Sequence, residues 1–336
     1  MKDQILQVND LKTYFFTASG VAKAVDGVSF SMSRGQIMGI VGESGSGKSV
    51  TASSLIRLLP KTGKIVEGEI IFDGREIQSL SNRELRKLRG SEISMIFQDP
   101  MTSLDPVFKV GEQMVGQIRT HQNITRQEAW NIGAEMLRQV GIPEPEARMN
   151  SYPHELSGGM CQRVIIAMAM SCQPKFMIAD EPTTALDVTV QAQILSLLKK
   201  LRDEKNMSIL LITHNLGIVW EMCDAVMVMY GGTTVEHTKM ETLYSNPLHP
   251  YTWGLLDSVP RLSAEPADEL KAIPGQPPDL RLTGGCCAFY NRCPYVREIC
   301  TKEVPPLVEV EPGHLVACHR QNGKEVLIRG EVNENA

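Results

Sequence analysis

Gly42-x4-Gly47-Lys48-Ser49 lies between an apolar run, Gln36 to Val41, and a helical stretch, Lys48 to Leu59. A buried strand that passes through a glycine-rich turn into a helix leaves few folds open. Gly42, Ser44, Gly45, Ser46, Gly47, Lys48, Ser49 and Val50 would present backbone N–H groups and the positive end of a helix dipole to an anion. In this pattern Lys48 reaches the β- and γ-phosphates of a nucleotide, and the Ser49 hydroxyl binds Mg²⁺. Pro60 stops the predicted helix.

Further strands are predicted at Ile93 to Phe97, Phe176 to Ala179, Ser208 to Thr213 and Ala225 to Met229. Helical patterns alternate with the later ones, so the expected class is α/β with a mostly parallel sheet. Between Asp99 and Gln173 the character changes: Arg126 to Val140 and Met160 to Met170 have helical spacing. This predicts a helical subdomain inserted into the core. After about Pro247 the chain is Pro- and Gly-rich, with Pro260, Pro274, Pro277 and Pro278. It reads as a linker to a cysteine-rich tail. There is no internal repeat and no low-complexity tract.

Asp180 ends an apolar strand, where it can hold Mg²⁺ through water. Glu181 follows and fits the general base that activates an attacking water. Ser157 can cap a helix whose first residues, Gly158 and Gly159, leave its N–H groups bare. That helix end suits a phosphate, though not one held by the same chain's own loop. The length of 336 residues allows more than one domain, and the net charge of -5 argues against a nucleic-acid partner. No apolar run approaches the roughly 18 residues of a membrane span. Met1 to Val8 has charges and no apolar secretory core. The chain is expected to be cytosolic unless a partner holds it at a membrane. Of eight cysteines, Cys161, Cys172 and Cys223 are scattered, and Cys286, Cys287, Cys293, Cys300 and Cys318 crowd into the last fifth. In a reducing cytosol such crowding favours a metal over disulfides.

The order of the phosphate loop, Gln98, Leu156-Ser157-Gly158-Gly159-Met160, the acidic strand end and His214 resembles the nucleotide-binding subunit of ABC transporters. The resemblance implies an ABC-type P-loop NTPase, with a RecA-like core, an antiparallel β subdomain and an inserted helical subdomain. It also implies that two subunits stack head to tail, so that Ser157, Gly158 and Gly159 of one close over the γ-phosphate held by the other. Gln98 would sense Mg²⁺ and the attacking water. His214 would contact the γ-phosphate. Ala185-Leu186-Asp187 would lie at the dimer seam, and Phe15 would stack on adenine. Tyr14 competes for that last role, since neighbours on a strand face opposite ways.

Closer segments narrow the resemblance. FQDPMTSLDP (Phe97 to Pro106), ADEPTTALDVTV (Ala179 to Val190), Asn246-Pro247-Leu248-His249-Pro250-Tyr251-Thr252 and the tail cysteines resemble the oligopeptide and dipeptide importer ATPases, in particular their D-type subunit. This implies ATP and Mg²⁺ as cofactors and a 4Fe-4S cluster on Cys287, Cys293, Cys300 and Cys318. The spacing itself leaves zinc, or free or disulfide-linked cysteines, open, and Cys286 reads as a bystander. The implied partners are a second ATPase in a heterodimer, two permease subunits and an extracytoplasmic substrate-binding protein, on the cytoplasmic face of the inner membrane. The implied division is an ATPase domain at 1–255, with the helical insertion at about 100–172, and a cysteine-rich extension at 256–336.

Cys161 stands where this group usually has a basic or polar residue, Asn215 where it has aspartate, and Cys286 is extra. None replaces a group assigned to hydrolysis. Related importers carry nickel complexes or glutathione. A soluble ABC ATPase acting on DNA or ribosomes is disfavoured by the single phosphate loop, the negative charge and the lack of a coiled-coil insertion.

Overall fold

The computed structural model describes residues 3–98, 103–183, 186–258 and 273–321, with 327 and 329. Asp99 to Thr102, Ala185 and Pro260, which carried part of the expectations above, lie outside the described residues. In chain order the strands are β1 (Gln4–Thr17), β2 (Gly20–Ser33), β3 (Ile37–Val41), β4 (Gly63–Phe72), β5 (Arg75–Glu76) and β6 (Ile93–Ile96). They continue with β7 (Phe176–Asp180), β8 (Ser208–Ile212), β9 (Ala225–Tyr230), β10 (Thr233–Lys239), β11 (Val308–Glu311) and β12 (His314–Val316). The chain forms two compact bodies. One comprises Met1–Ile5, Ser33–Gln36 and Ser79–Ile212; the other comprises Leu6–Met32, Ile37–Gln78 and Thr213–Ala336.

In the first body β6, β7 and β8 run parallel, with Ile96 paired to Ala179 and Ala179 to Leu211. Every residue of β7 and β8 is buried. That explains why these segments read as unbroken apolar runs: a parallel strand covered on both faces has no polar side. The helices Val110–His121, Arg126–Gln139 and Gly158–Met170 pack together in the same body. Val115, Ile118 and Ala129 form one of their buried seams. Arg126–Gln139 starts at a capping box, in which the Thr125 side chain accepts from Glu128 N and Glu128 reaches back to Thr125 N. This reciprocal pair satisfies two donors that the first helical turn cannot.

In the second body an antiparallel sheet has the order β2-β1-β4-β5. Beside it, β3 pairs in parallel with β9, and β9, β10, β12 and β11 follow as antiparallel neighbours. The helix after β3 covers Lys48–Leu55 and ends earlier than the predicted Leu59. The chain turns at Arg57 in the left-handed region (φ 52), so Pro60 is not what stops it.

The segment after Pro247 also differs from the predicted linker, because Pro250–Asp257 is a helix. Proline at the first helical position costs nothing, since that N–H has no intrahelical partner. The His249 ring nitrogen caps the helix by accepting from Tyr251 N at 3.0 Å. Just before it, Glu236 of β10 is fully buried at 0% exposure. Its carboxylate accepts from Leu248 N (2.7 Å) and His249 N (3.0 Å) and contacts His314 Nε2 of β12 at 2.8 Å. Charge-assisted bonds of this kind let a carboxylate stay in a dry interior. They explain why Thr-Thr-Val-Glu-His-Thr-Lys, a polar stretch by composition, is a largely buried strand.

Candidate nucleotide site

The phosphate loop belongs to the second body. Gly42 (φ 152) and Gly47 (φ 101) hold backbone conformations that side chains rarely adopt. A Cβ on Gly42 would lie 2.2 Å from the Met229 carbonyl oxygen, and one on Gly47 would lie 2.3 Å from that of Ala24. Glycine is therefore required twice, by backbone and by space. The loop is closed by Ser46 N donating to Glu43 O (3.2 Å) and pinned to the β9–β10 turn by Gly232 N donating to Ser46 O (3.1 Å).

Lys48 is 5% exposed. Its amine donates to the carbonyls of Gly42 (2.7 Å) and Glu43 (2.8 Å), which hold it inside the curve of the loop. Ser44 and Gly45 are exposed on the loop, and in the first turn of the helix Ser49 is exposed and Val50 half-buried. A cation inside a ring of glycine-rich backbone at a helix N-terminus is a receptor for a polyphosphate. Phe15 pairs with Gly63 across β1 and β4, and a Cβ on Gly63 would meet its ring at 2.9 Å. The Tyr14 hydroxyl donates to Asp26 at 2.6 Å. His214 is exposed after β8, and Asn215 caps the next helix, Leu216–Met222, by accepting from Gly217 N at 2.9 Å. Asn215 thus does here what an aspartate would do, since both residues cap well.

The acidic strand end belongs to the first body. Asp180 closes β7 at 5% exposure. Glu181 follows in the left-handed region (φ 47), its N–H donating to Ile212 O at 2.8 Å. The chain turns sharply at that residue and carries the carboxylate out of the strand line. Gln98, two residues beyond β6, donates from Nε2 to Glu181 Oε2 at 3.2 Å. Two residues predicted for the same chemistry from distant segments are therefore in contact.

Ser157 caps Gly158–Met170 by accepting from Met160 N at 3.3 Å. Ser157 and Gly158 are exposed, so this helix end is open to solvent. Asp187 caps Val188–Lys205 by accepting from Val190 N at 2.9 Å. Cys161, in the first turn of the helix that Ser157 caps, is buried, and burial pushes its thiol pKa upward. It behaves as a small apolar residue rather than a reactive one.

One participant escaped the sequence reading. Gln162 is buried in the same helix and donates to the Pro182 carbonyl at 2.6 Å, so it joins that helix directly to the turn carrying Glu181. The available signal was a polar pair, Gln162 and Arg163, inside a helical run that is apolar from Val164 to Met170.

The tail does not match its expectation. Among the described residues no group of three or more His, Cys, Asp or Glu is arranged to hold a metal ion, which removes both the 4Fe-4S cluster and zinc as readings of Cys287, Cys293, Cys300 and Cys318. All eight cysteines are free, which removes the disulfide reading. The physical reason is that ligation is decided by how donor atoms are arranged in space, and spacing along the chain does not report that arrangement. Burial pushes the Cys287 thiol up to about 12 and Cys293 up to about 11, and raises Cys318 as well. The segment is tied together instead by Cys287 N donating to Cys300 O (2.9 Å) and Arg320 Nε donating to Tyr295 O (3.1 Å).

A parallel sheet, a glycine loop closed on a buried lysine, and an acidic strand end contacted by a glutamine define a P-loop nucleotide-hydrolysing protein. A family model described as ABC transporter matches residues 25–184, and one described as oligopeptide/dipeptide transporter, C-terminal region, matches residues 235–300. The chain is 52% identical to the oligopeptide transport ATP-binding protein OppD of Salmonella typhimurium, over 94% of this chain and 93% of that one. It is 47% identical to the dipeptide transport ATP-binding protein DppD of Lactococcus lactis, over 93% of this chain and 90% of that one. Among solved structures it resembles a dimeric ATP-binding cassette in a post-hydrolysis state with ADP and phosphate. There the TM-score is 0.63 and the identity 26%, over 70% of this chain and 98% of that one. The chain belongs to the ABC transporter ATP-binding proteins of the oligopeptide/dipeptide group, and it is an ATPase.

Proposed function

We propose that this chain hydrolyses ATP to power the uptake of di- and oligopeptides. The observation that carries the reading is the succession of two family matches on one chain, the ABC region and then the peptide-transporter C-terminal region. The glycine loop, Gly42 to Val50, holds the phosphates, with Lys48 on the β- and γ-phosphates. Phe15 stacks on adenine. Ser49, Gln98 and Asp180 would hold Mg²⁺, which when bound offsets the charge of the β- and γ-phosphates. Glu181 takes the proton of the attacking water, Gln98 orients that water, and His214 contacts the γ-phosphate. Ser157, Gly158 and Gly159 close over the nucleotide of a second ATPase subunit, and Asp187 lies at the seam.

In this reading the antiparallel sheet is the β subdomain, the helices within about 100–172 form the helical subdomain, and a C-terminal extension follows the ATPase domain at 255. The second ATPase is a different chain. Two permease subunits and an extracytoplasmic substrate-binding protein complete the importer, which holds this chain at the cytoplasmic face of the inner membrane. No helix among the described residues is long and apolar enough to cross a membrane itself.

The test is peptide uptake and phosphate release by the assembled transporter in vesicles, with and without Glu181→Gln. A positioned general base contributes roughly 10²–10⁴-fold, so turnover at the site containing this residue should fall on that scale. Unchanged turnover would remove Glu181 from its role. Uptake of a nickel complex or glutathione in place of peptide would reassign the substrate and leave the ATPase in place.

A further inference from the structure

The phosphate loop is gripped from the C-terminal region by an arginine to which the sequence reading assigns no role. Arg292 is 8% exposed, and all five of its N–H groups are spoken for. Nη1 donates to Glu43 Oε2 at 2.6 Å and to the Tyr230 hydroxyl at 3.2 Å. Nη2 donates to Glu43 Oε1 at 3.0 Å and to the Ile273 carbonyl at 3.1 Å. Nε donates to the Pro274 carbonyl at 2.8 Å.

The guanidinium therefore meets the Glu43 carboxylate in two parallel bonds, the geometry that fixes orientation as well as distance. Glu43 is the residue that follows Gly42 in the loop. Its N–H donates to the Tyr251 hydroxyl at 2.8 Å, and its carbonyl accepts from the Lys48 amine at 2.8 Å. Phe289 closes the assembly by packing its ring on Tyr230 and Tyr251, with centroids 5.1 and 5.4 Å apart. Side chain, N–H and carbonyl of one loop residue are thus each held, two of them by groups within the C-terminal family match of 235–300.

We propose that Arg292 is a positioning residue for ATP. Its paired bonds to Glu43 set the curvature of the phosphate loop, so that the C-terminal region governs how tightly the triphosphate is held. This rests on the reading of the loop as the nucleotide site. Backbone N–H groups bind phosphate strongly only when already aimed at it, and a loop free to relax spends binding energy on being reordered. Lysine cannot replace the guanidinium, because it offers a point charge where two parallel donors are needed.

The experiment is calorimetric titration of the full-length chain with Mg-ATP, alongside thermal unfolding, for wild type, Arg292→Lys, Glu43→Gln, the double variant and Lys48→Ala. The same variants are assayed in the assembled transporter for KM and kcat. We expect each single variant to weaken ATP binding about tenfold, the range of one bidentate charged contact. The double variant should lose no more than either single one, because the two residues act through one contact. KM for ATP should rise and kcat change little. ATP affinity unchanged in both single variants, while Lys48→Ala abolishes it, would overturn the role of Arg292 and leave the nucleotide site intact. Weakened binding that tracks a drop in melting temperature, with kcat falling as much as KM rises, would reduce Arg292 to a structural tie. If the wild-type chain binds no Mg-ATP, the reading of the nucleotide site fails and this proposal with it.

Discussion

Ser157 shows how much a single side chain can decide. It caps its own helix through Met160 N, yet stays exposed, so its hydroxyl and the bare N–H groups behind it face solvent. Ser157→Arg should leave ATP binding by the loop around Lys48 largely intact, because that loop is built from other segments. It should block closure of the two-subunit assembly, read as loss of cooperative ATP hydrolysis in the complex. Normal hydrolysis at both sites would sink the assignment of this helix end to a partner's nucleotide. The places of such residues were legible from sequence because spacing fixes them: Lys48 and Ser49 open the helix after the glycine turn, and Asp180 and Glu181 sit where a strand ends. The Glu43–Arg292 pair was not, since 249 positions separate its members and neither belongs to a periodic pattern. The cysteines mislead for the opposite reason. Their crowding along the chain suggested ligands, while the spatial grouping of donors, which decides ligation, is a tertiary property.

Among elements, the strands at the centre were the easiest to read, because burial on both faces leaves only apolar residues, as in Phe176–Asp180 before its carboxylate. Helix starts with a side-chain cap were also legible in principle. Thr125 and Glu128 form such a signature, and both bonds are present. Thr125→Ala should lower unfolding stability by about 1 kcal/mol, measured as a shift in denaturant midpoint with unchanged slope. Glu128→Gln should cost less, since an amide can still reach back to Thr125 N. Two elements resisted. Pro250–Asp257 falls in the stretch that reads as a Pro- and Gly-rich linker, whereas proline at the first turn is compatible with a helix start. Thr233–Lys239 received no reading from sequence, and its burial depends on partners from far along the chain.

For the whole molecule, acid sensitivity follows from His249. It is 2% exposed, and burial lowers its pKa to about 4, with the nearby Glu236 pulling the other way. A folded pKa below the unfolded value of roughly 6.5 means that the unfolded chain binds more protons between those two values. Stability is therefore complete above about pH 6.5 and declines as pH falls toward 4, by about 2 kcal/mol from this group at pH 5. His249→Asn keeps a helix cap and removes the titration. Its unfolding midpoint should fall less than that of wild type between pH 7.5 and 5, and equal slopes would exclude His249 as the source.

The buried carboxylate of Glu236 adds a constraint of a different kind. Two of its donors, Leu248 N and His249 N, and the contacting His314 all come later in the chain than Pro247. A gene shortened at that codon would strand a charge in the interior at a cost of several kcal/mol. Recombination that exchanged only the segment beyond it would fail wherever the new segment could not meet Glu236. His314 of the tail thus completes the shell of a carboxylate buried in the strand Thr233–Lys239, so a change at that tail position reaches the interior of the sheet.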